Sequence, residues 1–154
     1  MDLEKVAIMR LRDGAEISKH YYDKPLMLCY SGGKDSDIIL DLALKSGIDF
    51  EVQHSHTTAD APETVYHIRN KFKELESKGI KCNIDMPRYK GKPTSMWSLI
   101  VQKGIPPTRL VRYCCAILKE TGGKNRAIAT GVRRAESTKR RSKGIIETYS
   151  SNLS

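Results

Sequence analysis

Residues 26–44 read LMLCYSGGKDSDIILDLAL, and this stretch constrains the fold more than any other. Leu26 to Tyr30 is a short apolar run just after Pro25, the pattern of a buried strand. Ile38, Ile39, Leu42 and Ala43 then recur at helical spacing, so an amphipathic helix is expected over 36–46, closed by Gly47 as its C-cap. Between the two runs stands Ser31-Gly32-Gly33-Lys34-Asp35-Ser36. The glycines permit a sharp turn and leave backbone N–H groups uncovered. Ser36 or Asp35 is placed to cap the first helical turn. The uncovered N–H groups, the helix N-terminus and Lys34 then face one spot, which suits a phosphate. The stretch is not a Walker A loop, because that motif needs Ser or Thr after its lysine and Asp35 follows Lys34.

The rest of the chain continues the alternation. Residues 3–22 predict a first helix, with Val6, Met9, Ile17 and Tyr21 among its candidate core contacts and Gly14 as its weak point. Further strands are predicted over 49–55, 80–86 and 125–132. A helix over 63–77 follows Pro62, a residue suited to a first helical turn. PRYKGKP reads as a polar loop, and TSMWSLIVQKG as a helix with Trp97, Ile100 and Val101 on its buried side and Leu99 beside them in the core. RLVRYCCAILKET reads as another short helix, and Ile145-Ile146 as the start of a short strand. Strands alternating with helices imply right-handed βαβ units and a mostly parallel sheet with helices on both faces. Ligands of such sheets bind beyond the carboxyl ends of the strands. The polar clusters 31–36, 56–64 and 131–140 each begin where a predicted strand ends, so they are expected to meet on one edge.

A chain of 154 residues makes one domain with room for a real core. No apolar segment reaches membrane-spanning length, and MDLEKVAIMRLRDGAEISKHYYDK has no apolar signal core, so a cytoplasmic protein without a membrane partner is expected. Four cysteines (Cys29, Cys82, Cys114, Cys115) are too sparse for a disulfide scaffold. The net charge of +9 is concentrated: residues 103–144 hold twelve Lys/Arg against Glu120 and Glu136, leaving the remainder nearly neutral. Such a basic surface points to a polyanion, either a multiply phosphorylated nucleotide or nucleic acid. His20, His54, His56 and His67 have no zinc-like spacing with the cysteines, so no zinc site is assigned. His56 stands at the edge of the expected site, where a structural or surface histidine is the simpler reading and a ligand contact the alternative.

Residues 31–36 resemble the PP-loop of the adenine nucleotide alpha hydrolase-like superfamily. Together with ADAPET, RYCCAILKE and GVRRAESTKR, they make the chain similar to the phosphoadenosine phosphosulfate (PAPS) reductase family over about residues 25–141. GVRRAESTKR fits the family's G-x-R-x-x-x-S-x-x-R through Gly131, Arg133, Ser137 and Arg140. The resemblance implies a Rossmann-like three-layer α/β sandwich with the PP-loop after the first strand. It places a nucleotide-binding domain over 25–141, after an N-terminal helix in 1–24 and before a tail over 142–154. It implies that Ser31, Gly32, Gly33, Lys34, Asp35 and Ser36 hold phosphate or sulfate oxygens of an adenine nucleotide, with Thr57, Gly131 and Ser137 in the same site. Arg133 and Arg140 would neutralise further anionic groups with their guanidinium forks. Where the family usually carries Asp-Thr-Gly before Pro-Glu-Thr, this chain reads His56, Thr57 and Thr58 before Pro62, Glu63 and Thr64. Glu63 reads equally as a ligand contact or as a first-turn residue favoured by the helix dipole.

The chemistry stays open between three readings. Cys114-Cys115 resembles the first half of the iron–sulfur ligand set of the adenylyl-sulfate (APS) reductase branch. No cysteine follows Cys115, so a cluster is not expected, and the pair reads as helix cysteines with a redox or metal role as the alternative. Thioredoxin-dependent members attack sulfate sulfur with a cysteine in a Glu-Cys-Gly-x-His segment, which these residues lack. One reading is a PAPS or APS reductase-like oxidoreductase of sulfur metabolism, supplied by a thiol reductant. Another is a PP-loop ATP pyrophosphatase that adenylates nucleic acid for sulfur transfer, with Mg²⁺ near Asp35. A third is a non-catalytic nucleotide- or nucleic-acid-binding module. Lys34, Asp35, Cys114 and Cys115 are the candidate catalytic residues. The nucleotide is PAPS, APS or ATP, and assembly into a homo-oligomer is left open.

Overall fold

In the computed structural model, which describes residues 2–119, 122–133 and 144–148, the elements follow the predicted alternation. They run α1 (Leu3–Tyr22), β1 (Leu26–Cys29), α2 (Lys34–Ser46), β2 (Phe50–Ser55), α3 (Pro62–Ser77) and β3 (Cys82–Asp85). A hairpin of β4 (Arg88–Tyr89) and β5 (Lys92–Pro93) leads to α4 (Met96–Lys103), a π-helical turn (Cys115–Lys119) and β6 (Ile128–Ala129). Strands β3, β2, β1 and β6 form one sheet in that spatial order, and every pairing in it is parallel. The result is a Rossmann-like α/β fold, a parallel sheet flanked by helices. From β1 the chain steps outward to β2 and β3, then returns to β6 on the far side of β1. The order therefore reverses between β1 and β6, which opens a crevice beyond their carboxyl ends.

The strand period of two divides the sheet into unlike faces. Leu26, Leu28, Phe50 and Val52 share one face and pack with Leu11 of α1, Leu40 of α2 and Phe72 of α3 in the main core. The other face carries Met27, Cys29, Glu51 and Gln53. There Arg126 Nη1 donates to Glu51 Oε2 at 2.5 Å and its Nη2 donates to the Pro25 carbonyl at 2.9 Å, tying the chain before β6 to the start of β1. Burial on its own would push the Glu51 carboxyl up. Hydrogen bonds from Arg126 and Lys81 outweigh it and hold the group below the ordinary carboxylate value.

Several local expectations are corrected. In α1, Met9 and Tyr21 are exposed and Val6 and Ile17 only half-buried, while Leu11 and Ser18 are buried, because residues 11, 15 and 18 share the helical face turned to the core. Gly14 does not break this helix: it lies against Leu26, whose Cδ2 would stand 3.6 Å from an added Cβ. Helix α2 begins at Lys34 with Gly33 as its N-cap, and no side chain caps it, so neither Asp35 nor Ser36 has that role. PRYKGKP is a hairpin, not a loop. Lys90 and Gly91 both take positive φ (51° and 76°), the backbone that a two-residue turn between twisted strands requires. In α4, Leu99 is buried as expected and Ile100 is half-buried, but Trp97 and Val101 are 67% and 82% exposed, so these two do not belong to the buried side. RLVRYCCAILKET gives chiefly the π-helical turn, anchored by buried Leu118. The last strand is shortened to two residues paired with Met27 and Leu28. Ile145 and Ile146 are exposed and lie in no strand. Ser137, Arg140 and the rest of 134–143 lie outside the described residues, as does most of the expected tail. Among the described residues no helix is long and apolar enough to cross a membrane.

Candidate functional site

The loop after β1 is shaped by its smallest residues. Gly32 has φ +78°, and a Cβ on it would stand 3.0 Å from Ile68 Cγ1 of α3. The positive φ favours glycine there, and a Cβ would in addition crowd the Ile68 side chain. Gly33 follows in extended backbone, and an added Cβ would meet only Ser31 Oγ, at 3.5 Å. The serines brace the loop internally: Ser36 Oγ donates to the Gly33 carbonyl at 2.6 Å and Ser31 Oγ donates to Ser36 Oγ at 3.3 Å. The N-terminus of α2, which has no side-chain cap, is thus held open, with exposed Lys34 as its first residue. Such an end presents unpaired N–H groups and partial positive charge to an anion.

The segment after β6 closes against this loop. A Cβ on Gly131 would lie 2.7 Å from the Asp35 carbonyl oxygen, so only glycine permits the approach. Between the two segments lies a cavity of about 330 Å³ bordered by Cys29, Ser31, Gly33, Lys34, Asp35, Ser36, Thr130 and Gly131. At its mouth Arg133 Nε donates to Asp35 Oδ2 at 3.0 Å in an exposed ion pair.

The predicted site residues divide accordingly. The loop 31–36, Gly131 and Arg133 come together. Thr57 is buried apart from the cavity lining: its N–H donates to Asp60 and its hydroxyl accepts from the Ala59 N–H, each at 3.3 Å, so it shapes its own loop. Cys114 and Cys115 are half-buried free thiols that do not border the cavity, and Cys115 Sγ accepts from Arg112 Nη2 at 3.3 Å. Ser137 and Arg140 lie outside the described residues. Sequence reasoning missed Cys29 and Thr130, which border the cavity because each sits at or just past the carboxyl end of a strand that flanks the crevice. Burial pushes the Cys29 thiol up, which favours its protonated form. It also missed Tyr30. Its hydroxyl donates to Asp37 Oδ1 at 2.6 Å and lies 3.3 Å from His67 Nε2, linking the root of the loop to α2 and α3. Burial first, then that bond to Asp37, holds the phenol well above its ordinary value. Beside this link, His54, His56 and Asp60 each bring one potential metal-ligating atom within 4.8 Å of the other two.

Comparison with known proteins follows the same geometry. The family model described as the phosphoadenosine phosphosulfate reductase domain matches residues 25–153, from just before β1 through the loop and the Gly131–Arg133 segment. An uncharacterized protein of Methanocaldococcus jannaschii is 32% identical over 112 residues, a match that takes in 70% of this chain. The same match takes in 21% of that protein, so the chain spans about a fifth of its relative's length. By the extent of the family match and the motifs it covers, the chain belongs to the phosphoadenosine phosphosulfate reductase domain family, within the PP-loop superfamily.

Proposed function

We propose that this chain binds a sulfated adenine nucleotide, PAPS or APS, in the crevice between β1 and β6. The observation that carries this reading is the cavity of about 330 Å³ shared by the loop 31–36 and Gly131, a size at which small-molecule sites begin. An anionic group at the N-terminus of α2 meets loop N–H groups and the helix dipole. Lys34 adds a mobile point charge. Asp35 would repel that anion, and the Arg133 guanidinium at 3.0 Å offsets its charge. Ser31 and Ser36, whose hydroxyls bond within the loop, hold the cavity wall in shape.

A second reading, an ATP pyrophosphatase acting on nucleic acid, is favoured by the twelve Lys/Arg gathered in residues 103–144. Calorimetric titration with PAPS, APS and ATP, each with and without Mg²⁺, separates the two. Tighter binding of PAPS or APS, independent of Mg²⁺, is the expected result. A Mg²⁺-dependent preference for ATP selects the second reading. Lys34→Ala and Gly33→Val should each weaken nucleotide binding about tenfold or more, roughly 1.4 kcal/mol. Unchanged affinity in both folded variants would remove the nucleotide from this crevice.

A further inference from the structure

We propose that His54, His56 and Asp60 bind a divalent transition-metal ion of the zinc or iron(II) class, at a site separate from the nucleotide crevice. His54 and His56 stand two residues apart at the end of β2, where strand geometry puts both side chains on one face, toward α3. His54 is only 6% exposed. Its Nδ1 lies 2.9 Å from the Tyr30 carbonyl, an acceptor only, so Nδ1 carries the proton and Nε2 the lone pair. That Nε2 is buried and has no hydrogen-bond partner. A metal-ligating histidine is commonly held in this way, its ring oriented by a backbone carbonyl at one nitrogen and its lone pair left bare at the other.

Asp60 supplies the charge. The Thr57 N–H donates to its Oδ2 at 3.3 Å, orienting the carboxylate. One donor atom from each of the three residues lies within 4.8 Å of the others. Ligands bonded at about 2.0–2.1 Å in a tetrahedral site stand roughly 3.4 Å apart, so closure requires an adjustment on the order of an ångström. His56 and Asp60 are only half-buried, so the adjustment falls on side chains that are not packed in the core. His54 and His56 also border a cavity of about 20 Å³, room for one water-sized occupant. Two imidazoles and one carboxylate suit zinc or iron(II), whereas magnesium prefers an all-oxygen shell. Arg69, exposed on α3, is the charged group on that cavity's wall, and it favours an anion as the competing occupant. The site adjoins the phosphate loop, because Tyr30, whose carbonyl holds His54, immediately precedes Ser31. It does not depend on the nucleotide reading: metal binding and nucleotide binding are measured separately and can fail separately.

The test uses the full chain, freed of metal by chelation and titrated with Co²⁺ alone, Zn²⁺ alone and inorganic phosphate alone. One equivalent of Co²⁺ should bind, with visible d–d absorption but no thiolate-to-metal charge-transfer band, and Zn²⁺ should displace it. His54→Ala disturbs a buried position, so the half-buried His56→Ala and Asp60→Asn carry the test. Each should weaken Co²⁺ binding about tenfold or more while retaining the wild-type circular dichroism spectrum. Cys114→Ser/Cys115→Ser should bind as wild type does. The proposal is overturned by absence of stoichiometric metal binding, by a charge-transfer band that vanishes in the cysteine variant, by unchanged affinity in both His56→Ala and Asp60→Asn, or by phosphate occupying the site in place of metal.

Discussion

A Cβ on Gly131 would fall 2.7 Å from the carbonyl oxygen of Asp35, a backbone atom in the first turn of a helix that cannot swing aside. Gly131→Ala should therefore force β6 and α2 apart, costing roughly 1–3 kcal/mol as overpacking does, read as a lower urea midpoint. The same displacement should weaken nucleotide binding in calorimetry, and a variant with wild-type stability and affinity would show that the two segments are not in register. Arg133 makes the opposite case. Its ion pair with Asp35 is exposed, so Arg133→Ala should change stability by no more than about 1 kcal/mol. If the guanidinium also meets the nucleotide, the affinity loss should be larger, roughly 1.5–3 kcal/mol, and Arg133→Lys should restore it only in part. Glu51 gives a pH signature. Its carboxyl is held below the ordinary value of 4.5, so its stabilising effect is present above that pH and is lost as pH falls through the folded-state value. Glu51→Gln should lower the urea midpoint at pH 7 and flatten the acid limb of the stability profile. An unchanged acid limb would show that other carboxylates set it. The glycine and arginine motifs were visible in the sequence as types and spacings. The contact between Gly131 and Asp35, almost a hundred residues earlier in the chain, was not, because no local pattern encodes a long-range backbone approach.

At the scale of elements, the strongly periodic segments were legible and the weakly constrained ones were not. Helices α1, α2 and α3 and strands β1, β2 and β3 lie where apolar period and turn residues put them, because burial on a sheet face or helix stripe rewards a fixed spacing. Helix α4 shows the limit. Its apolar residues lie all round, so spacing alone could not say which side faces inward, and Leu99 rather than Trp97 or Val101 is buried. Its start is set by Ser95, whose side chain accepts from the Ser98 N–H at 3.1 Å. Ser95→Ala should lower stability by about 1 kcal/mol, as loss of an N-cap does, measured by denaturant unfolding. No measurable change would mean that Leu99 packing alone holds the helix. The hairpin Arg88–Pro93 escaped notice because its strands are two residues long, too short for alternation to register.

At the scale of the whole molecule, charge and topology make separable predictions. Residues 103–144 hold twelve Lys/Arg against two Glu, whereas Lys34 is, among the described residues, the basic residue that borders the cavity. Raising salt should therefore abolish any binding of single-stranded RNA steeply, while affinity for a nucleotide held by fixed loop N–H groups falls less, as followed by fluorescence anisotropy and calorimetry side by side. Equal salt slopes would merge the two surfaces into one diffuse basic face. The sequence by itself determined the alternation of strand and helix, the parallel sheet and the phosphate-suited turn after its first strand. Each of these follows from local spacing of apolar, glycine and hydroxyl residues. Only the tertiary structure decided that β6 returns beside β1, that Gly131 closes on Asp35, and that His54, His56 and Asp60 converge at the end of β2. Strand order and side-chain convergence depend on which crossover the chain takes and on packing between elements distant in sequence, and a one-dimensional pattern carries neither.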